Sequence, residues 1–123
     1  MSRLGFPVSE ESVEEIQKIA ALPGLKMEGL FTHFSKADEY DKQPTRKQAE
    51  GYMWMKEQLQ EKGVTFTDYH CSNSAGILDM PEVNMDLVRA GIAIYGLYPS
   101  NEVDKRAVAL KPAMQIFARV TYV

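Results

Sequence analysis

Cysteine is nearly absent from this 123-residue chain; Cys71 stands alone, so no disulfide can close within it. Long hydrophobic runs are missing too, and nothing approaches the roughly 18 apolar residues that a membrane span requires. Blocks of one charge are lacking. Seventeen acidic against fourteen basic residues leave a net charge of −3, which argues against the basic footprint of a nucleic-acid or membrane-surface binder. The opening residues, Met-Ser-Arg-Leu-Gly-Phe, lack the charged-then-apolar layout of a secretory signal, which makes the cytoplasm the default location. Histidine is scarce as well. His70 and Cys71 are adjacent on a predicted strand and point to opposite faces, so no metal site is expected of them. With no Asn-His spacing to support a thiolate, catalysis by Cys71 is not expected either.

What is present has ordinary globular composition, 45% hydrophobic and 25% charged, enough for one core. Ser9 followed by Glu10 and Glu11 predicts a capped helix with Val13, Ile16 and Ala20 on one face, closed by Pro23-Gly24. "MEGLFTHFS" from Met27 predicts a strand with His33 near its end. Thr45 with Gln48 three residues later matches a capping box, and Ala49, Tyr52, Met53, Lys56 and Leu59 carry the helical period to Gly63. "VTFTDYHC" predicts a second strand, Ser74 opens a short helix, "MDLVRAGIAIYG" predicts a third strand and "AMQIFARVTYV" another. "RLGF" reads as the tail of an earlier strand. The alternation implies a parallel sheet covered by helices, an α/β fold. The rhythm stops after Pro99, so a domain boundary is expected between 99 and 112.

In such a sheet ligands bind at the carboxyl ends of the strands. Arg3, His33, Asn73 with Ser74, and Arg89 with Gly91 all fall there. Gly91 and Ile92 offer backbone that can approach an anion closely, and a helix starting near Ser74 would aim N–H groups at it, which suits a phosphate. Arg89, at the end of an apolar run, demands a partner because a buried unpaired guanidinium is costly. A salt bridge to Asp86 or Glu28 is the structural alternative. Likewise His33 can be a core histidine, Ser74 a helix cap and Arg3 a solvated side chain.

Four segments in order, "MSRLGF", "GLFTHFSKADE", "HCSNSAG" and "DLVRAGIAIYGLYPS", resemble the middle of the alanine racemases, pyridoxal-phosphate enzymes that interconvert L- and D-alanine. The resemblance runs from residue 1 to about 99, and "LKPAMQIFARV" is similar to the start of that family's C-terminal β domain. Ser2 departs from the family pattern, which usually has glycine there. The resemblance implies that residues 1–99 form the second half of a TIM-type (β/α)8 barrel, whose full length is about 250 residues. Residues 100–123 would then be the linker and first strand of the β domain.

It also implies roles. Arg89 would face the pyridine nitrogen of pyridoxal 5′-phosphate, with His33 hydrogen-bonded behind it; an always-protonated donor keeps that nitrogen unprotonated and tunes the ring's electronics. Ser74, Gly91 and Ile92 would contact the phosphate with Asn73 beside them. Arg3 would orient the ring hydroxyl and the substrate carboxylate. Arg3 and His33 are thus the catalytic candidates. The family's Schiff-base lysine is expected upstream of Met1 and its tyrosine base downstream of Val123, from a second subunit of a homodimer. The chain alone is therefore expected to be inactive. The product of the whole enzyme would be D-alanine for peptidoglycan. A racemase for serine or another amino acid, and a non-catalytic phosphate-binding half-barrel, are the competing readings.

Overall fold

The computed structural model describes residues 3–123; Met1 and the Ser2 departure lie outside the described residues. The elements in order are α1 (Glu10–Ala20), β1 (Gly29–Phe31), α2 (Gln43–Glu61), β2 (Asp68–His70) and α3 (Ser74–Asp79), followed by 3-10 turns at Pro81–Val83 and Ile92–Tyr95. β1 and β2 pair in parallel with Phe31 opposite His70. A parallel pair joined through a helix is the α/β arrangement expected. Among the described residues no helix is long and apolar enough to cross a membrane.

Helix α1 starts where the sequence places it. The Ser9 hydroxyl accepts from Ser12 N at 3.2 Å, and Glu10 and Glu11 stand at the positive end of the helix dipole. Its buried face, Val13 and Ile16, meets Met55, Leu59 and Val64. Leu59 is wholly buried, so Leu59→Ala carries a cost of about 2–5 kcal/mol. Helix α2 departs from expectation. It begins at Gln43 rather than at Thr45, because Pro44 presets the helical backbone and the Asp41 carboxylate accepts from Gln43 N at 2.9 Å. Thr45 is buried inside the first turn with its hydroxyl unpartnered among the described residues, and no capping box forms. Gln48 reaches instead to the chain leaving β1. Gly63, with φ +78°, turns the chain after α2 in a conformation that favours glycine.

The second cluster, Phe34, Ala37, Ala49, Cys71, Ala75, Leu78 and Val103, lies between the turn after β1, α2 and α3. The part-buried Lys42–Asp79 ion pair, 2.8 Å, ties the start of α2 to the end of α3, and the second carboxylate oxygen of Asp79 accepts from Asp104 N. Residues 100–104 are thereby fastened to the α/β layer.

Three expected strands are not assigned. Residues 3–5 form a bend with Leu4 97% exposed, so "RLGF" is not a strand. Residues 85–91 run alongside β2 in the parallel sense, with Asp86 N donating to Tyr69 O and Arg89 N to Ser72 O, yet the ladder is broken. The Asp86 side chain, not a backbone carbonyl, accepts from Tyr69 N, and Ile92–Tyr95 coils into a 3-10 turn. Residues 113–123 keep strand-like alternation but have no neighbouring strand among the described residues; Ile116 and Phe117 are each 86% exposed. A strand is stabilised by its cross-strand partner, and the sequence pattern alone does not provide one.

Candidate functional site

Alternation along the strands decides which residues face the helices and which do not. Leu30 and Tyr69 turn toward the helix layer, so Gly29, Phe31, Asp68 and His70 share the opposite face. That face is open: Phe31 is 62% exposed. Phe31 and His70 stack with ring centroids 5.2 Å apart, and the Arg89 guanidinium lies 5.2 Å from the Phe31 centroid.

Among the described residues Arg89 finds no carboxylate. Asp86 is engaged by Tyr69 N and Glu28 by Lys26. Nη2 of Arg89 donates to Thr32 O at 2.7 Å and Cys71 O at 3.3 Å, with His33 Nδ1 at 3.4 Å, while Nη1 donates to His70 Nδ1. The cation is held by neutral acceptors at the ends of both strands. None of these contacts uses Nε, and only one involves Nη1. A guanidinium carries five N–H donors, so among the described residues Nε–H and one Nη1 hydrogen are uncommitted.

The same contacts set the state of the histidines. A guanidinium only donates, so Nδ1 of His70 must accept, and its proton sits on Nε2. Burial and then the Arg89 charge push the pKa of His70 down; burial, Arg89 and Arg3 do the same to His33. Both rings are held in the neutral form at neutral pH. Arg3 is exposed in the bend at residues 3–5, and its charge adds to the lowering at His33. Burial raises the pKa of the Cys71 thiol, whose Sγ contacts Val83 O at 3.1 Å; the thiol is not activated.

Ser74 is the first residue of α3 rather than its cap. The cap is Asn73, whose Oδ1 accepts from Gly76 N at 3.1 Å while Nδ2 donates to Phe34 O at 3.2 Å. Asn73 therefore couples the start of α3 to the turn after β1. Ser74 Oγ accepts from Gly91 N at 2.9 Å and Ala93 N at 3.2 Å, leaving its own O–H free to donate. A Cβ at Gly91 would stand 3.6 Å from Ser74 Oγ. Ile92 opens the 3-10 turn, where its N–H has no partner within the turn. Ser74, Gly91 and Ile92 thus form one small corner in which the Gly91 N–H is spent on Ser74 Oγ and the Ser74 O–H and Ile92 N–H are the remaining donors, fastened to Arg89 by the short segment 89–92.

The structure brings Arg89, His33, Asn73, Ser74, Gly91 and Ile92 to one end of the parallel pair, as the sequence suggested. His70 is the residue that sequence reasoning missed. Its signal was its place on "DYH": with Tyr69 directed into the core, His70 faces the other way, toward Arg89.

The description "Alanine racemase, N-terminal domain" matches residues 1–99 of the chain. The alanine racemase of Desulforamulus reducens is 51% identical over all 123 residues, and that of Methanococcus maripaludis 45%. The chain spans about a third of the length of such curated relatives, 33% in both cases. Among solved structures, the alanine racemase of Clostridium difficile 630 superposes with a TM-score of 0.90 at 48% identity, over 92% of this chain and 31% of that one. That of Bacillus anthracis with bound L-Ala-P gives 0.84 at 34% identity, covering 92% and 30%. Four ordered motifs, the parallel β1–α2–β2 unit and these likenesses agree: the chain belongs to the alanine racemase N-terminal-domain family.

Proposed function

We propose that this chain supplies the cofactor-anchoring part of a pyridoxal-phosphate-dependent alanine racemase. The observation that carries the reading is Arg89: a guanidinium held by neutral acceptors, with uncommitted donors, next to the donor corner of Ser74, Gly91 and Ile92. The donor set fits pyridoxal 5′-phosphate, which has a dianionic end and a ring nitrogen that can accept. Arg89 would face the ring nitrogen; the Ser74 O–H and Ile92 N–H would hold the phosphate, Gly91 would let the backbone come close while its own N–H stays on Ser74 Oγ, and Asn73 shapes the start of α3.

The cofactor, when bound, supplies an electron sink for the carbon from which a proton is removed. Arg89 limits that sink. A cation with donors only cannot accept a proton from the ring nitrogen and disfavours a second positive charge beside it, so Arg89 would keep that nitrogen unprotonated. His33 and His70, both neutral, hold the guanidinium in place without cancelling its charge. Arg3 orients the substrate carboxylate. Racemisation needs a base on each face of the substrate carbon. The resemblance gives these two roles to a lysine and a tyrosine of the whole enzyme. The whole protein acts on alanine as a homodimer, in a (β/α)8 barrel of which residues 1–99 form the second half and 100–123 lead into a β domain.

The test is Arg89→Glu in a longer protein that carries this chain. A carboxylate accepts from a protonated ring nitrogen, so the ring becomes a better sink and side reactions gain. The ratio of pyruvate to D-alanine formed from L-alanine is expected to rise by about tenfold or more, the scale of one charge-assisted hydrogen bond. Arg89→Lys shifts it less. An unchanged ratio in a folded, cofactor-loaded Arg89→Glu protein contradicts the assignment.

A further inference from the structure

Gln48 lies on α2 one turn before Tyr52, and its amide is occupied by the chain that leaves β1. Nε2 donates to Thr32 Oγ1 at 3.0 Å and to His33 O at 2.8 Å, and Oε1 accepts from Ser35 N at 3.2 Å. A carbonyl requires a donor and an N–H an acceptor, so these contacts fix which end of the amide is which. Glutamate lacks the donors, and asparagine is one methylene too short.

Two of the three residues that this amide grips, Thr32 and His33, also hold the Nη2 corner of Arg89, together with Cys71 O. Thr32 O accepts from Nη2, and His33 Nδ1 lies against the same nitrogen. Thr32 N still pairs with His70 O at 3.3 Å, but beyond it the chain leaves the sheet. The other tether there is Asn73 on Phe34 O. Gln48 is thus a contact from the helix layer on both sides of the Thr32–His33 peptide, at the Thr32 hydroxyl and at the His33 carbonyl.

We propose that Gln48 is a positioning residue for Arg89: through Thr32 and His33 it fixes the Nη2 corner of the guanidinium, and so aims the uncommitted Nε–H and Nη1 hydrogen into the open face. Its functional consequence rests on the cofactor reading above; its effect on Arg89 does not.

The experiment is nitrogen NMR of the Arg89 side chain and the His70 ring in the full chain without ligand. Gln48→Met keeps length and helix propensity. It is expected to speed rotation of the Arg89 guanidinium by about tenfold, the worth of one charge-assisted hydrogen bond, and to shift His70 Nδ1 toward a free ring. Tyr52→Phe is the control. It removes a hydrogen bond of 2.8 Å from the same helix to the same strand, at Leu30 O, and is expected to lower stability while leaving both signals in place. Should Gln48→Met fail to fold, Gln48→Glu takes its place, since it still accepts from Ser35 N but cannot donate to His33 O. Unchanged Arg89 rotation in a folded Gln48 variant, or an equal effect of Tyr52→Phe, overturns the proposal. A titration with pyridoxine 5′-phosphate separates the two readings. If Gln48→Met frees Arg89 but the unaltered chain does not bind the compound, the positioning role stands and the cofactor reading falls; binding with Arg89 insensitive to Gln48 gives the reverse.

Discussion

His70 accepts a hydrogen bond from Arg89 through Nδ1, and the pair joins the open end of β2 to the segment that follows α3. The contact exists only while the ring is neutral. Burial and Arg89 lower the pKa of His70 below its ordinary 6.5, and His33 shifts the same way. The unfolded chain therefore binds more protons than the native one between the native value and about 6.5. Stability is full above that window and falls as the pH drops through it. Urea midpoints measured from pH 7.5 downward check this. His70→Gln and His33→Gln together are expected to flatten the profile, and a profile that stays steep in the double variant contradicts it.

Ser74 joins α3 to the segment after Arg89 through two accepted hydrogen bonds, from Gly91 N and Ala93 N. Ser74→Ala leaves both amides without that acceptor and is expected to cost about 1–2 kcal/mol. It also removes the hydroxyl that would donate to phosphate. Denaturant unfolding and a phosphorus NMR titration with pyridoxine 5′-phosphate should both register the change. A stability loss with unaltered affinity would separate Ser74 from the phosphate corner.

Gly96 has φ +77°, and a Cβ there would stand 2.0 Å from Lys111 O. The chain at 111–113 crosses directly over it, with Ala113 N donating to Tyr95 O at 3.1 Å. Backbone cannot yield as a side-chain tip can. Gly96→Ala is expected to release this crossing, seen as faster amide exchange at Ala113 and earlier protease cleavage beyond Lys111. The elements α1, α2 and β1 are expected to keep their protection. Retained protection at Ala113 in a folded variant would show that the crossing tolerates the added carbon.

The helices were legible because local chemistry sets them: Ser9 caps α1, and apolar spacing runs through α2. The start of α2 was not, since Thr45 and Gln48 form a capping box on paper while Pro44 and a better partner for the Gln48 amide prevail in space. The site was legible at the level of which loops converge. What a sequence does not contain is register. Pairing Phe31 with His70 puts His70, rather than His33, in closest contact with Arg89. Register likewise decides whether 85–91 completes a ladder, and there the Asp86 carboxylate takes a rung that a backbone carbonyl would fill. Residues 113–123 carry a strand pattern whose partner is not among the described residues.

The central claim is that Arg89 meets a ring nitrogen that carries no proton. Pyridoxine 5′-phosphate labelled with nitrogen-15 in the ring lacks the aldehyde that would react with surface lysines, and its nitrogen shift reports protonation directly. Bound to the chain near neutral pH, the ring is expected to give the shift of an unprotonated pyridine, and to move to the protonated shift in Arg89→Glu. A protonated ring in the unaltered complex, or a shift indifferent to Arg89, would contradict the account.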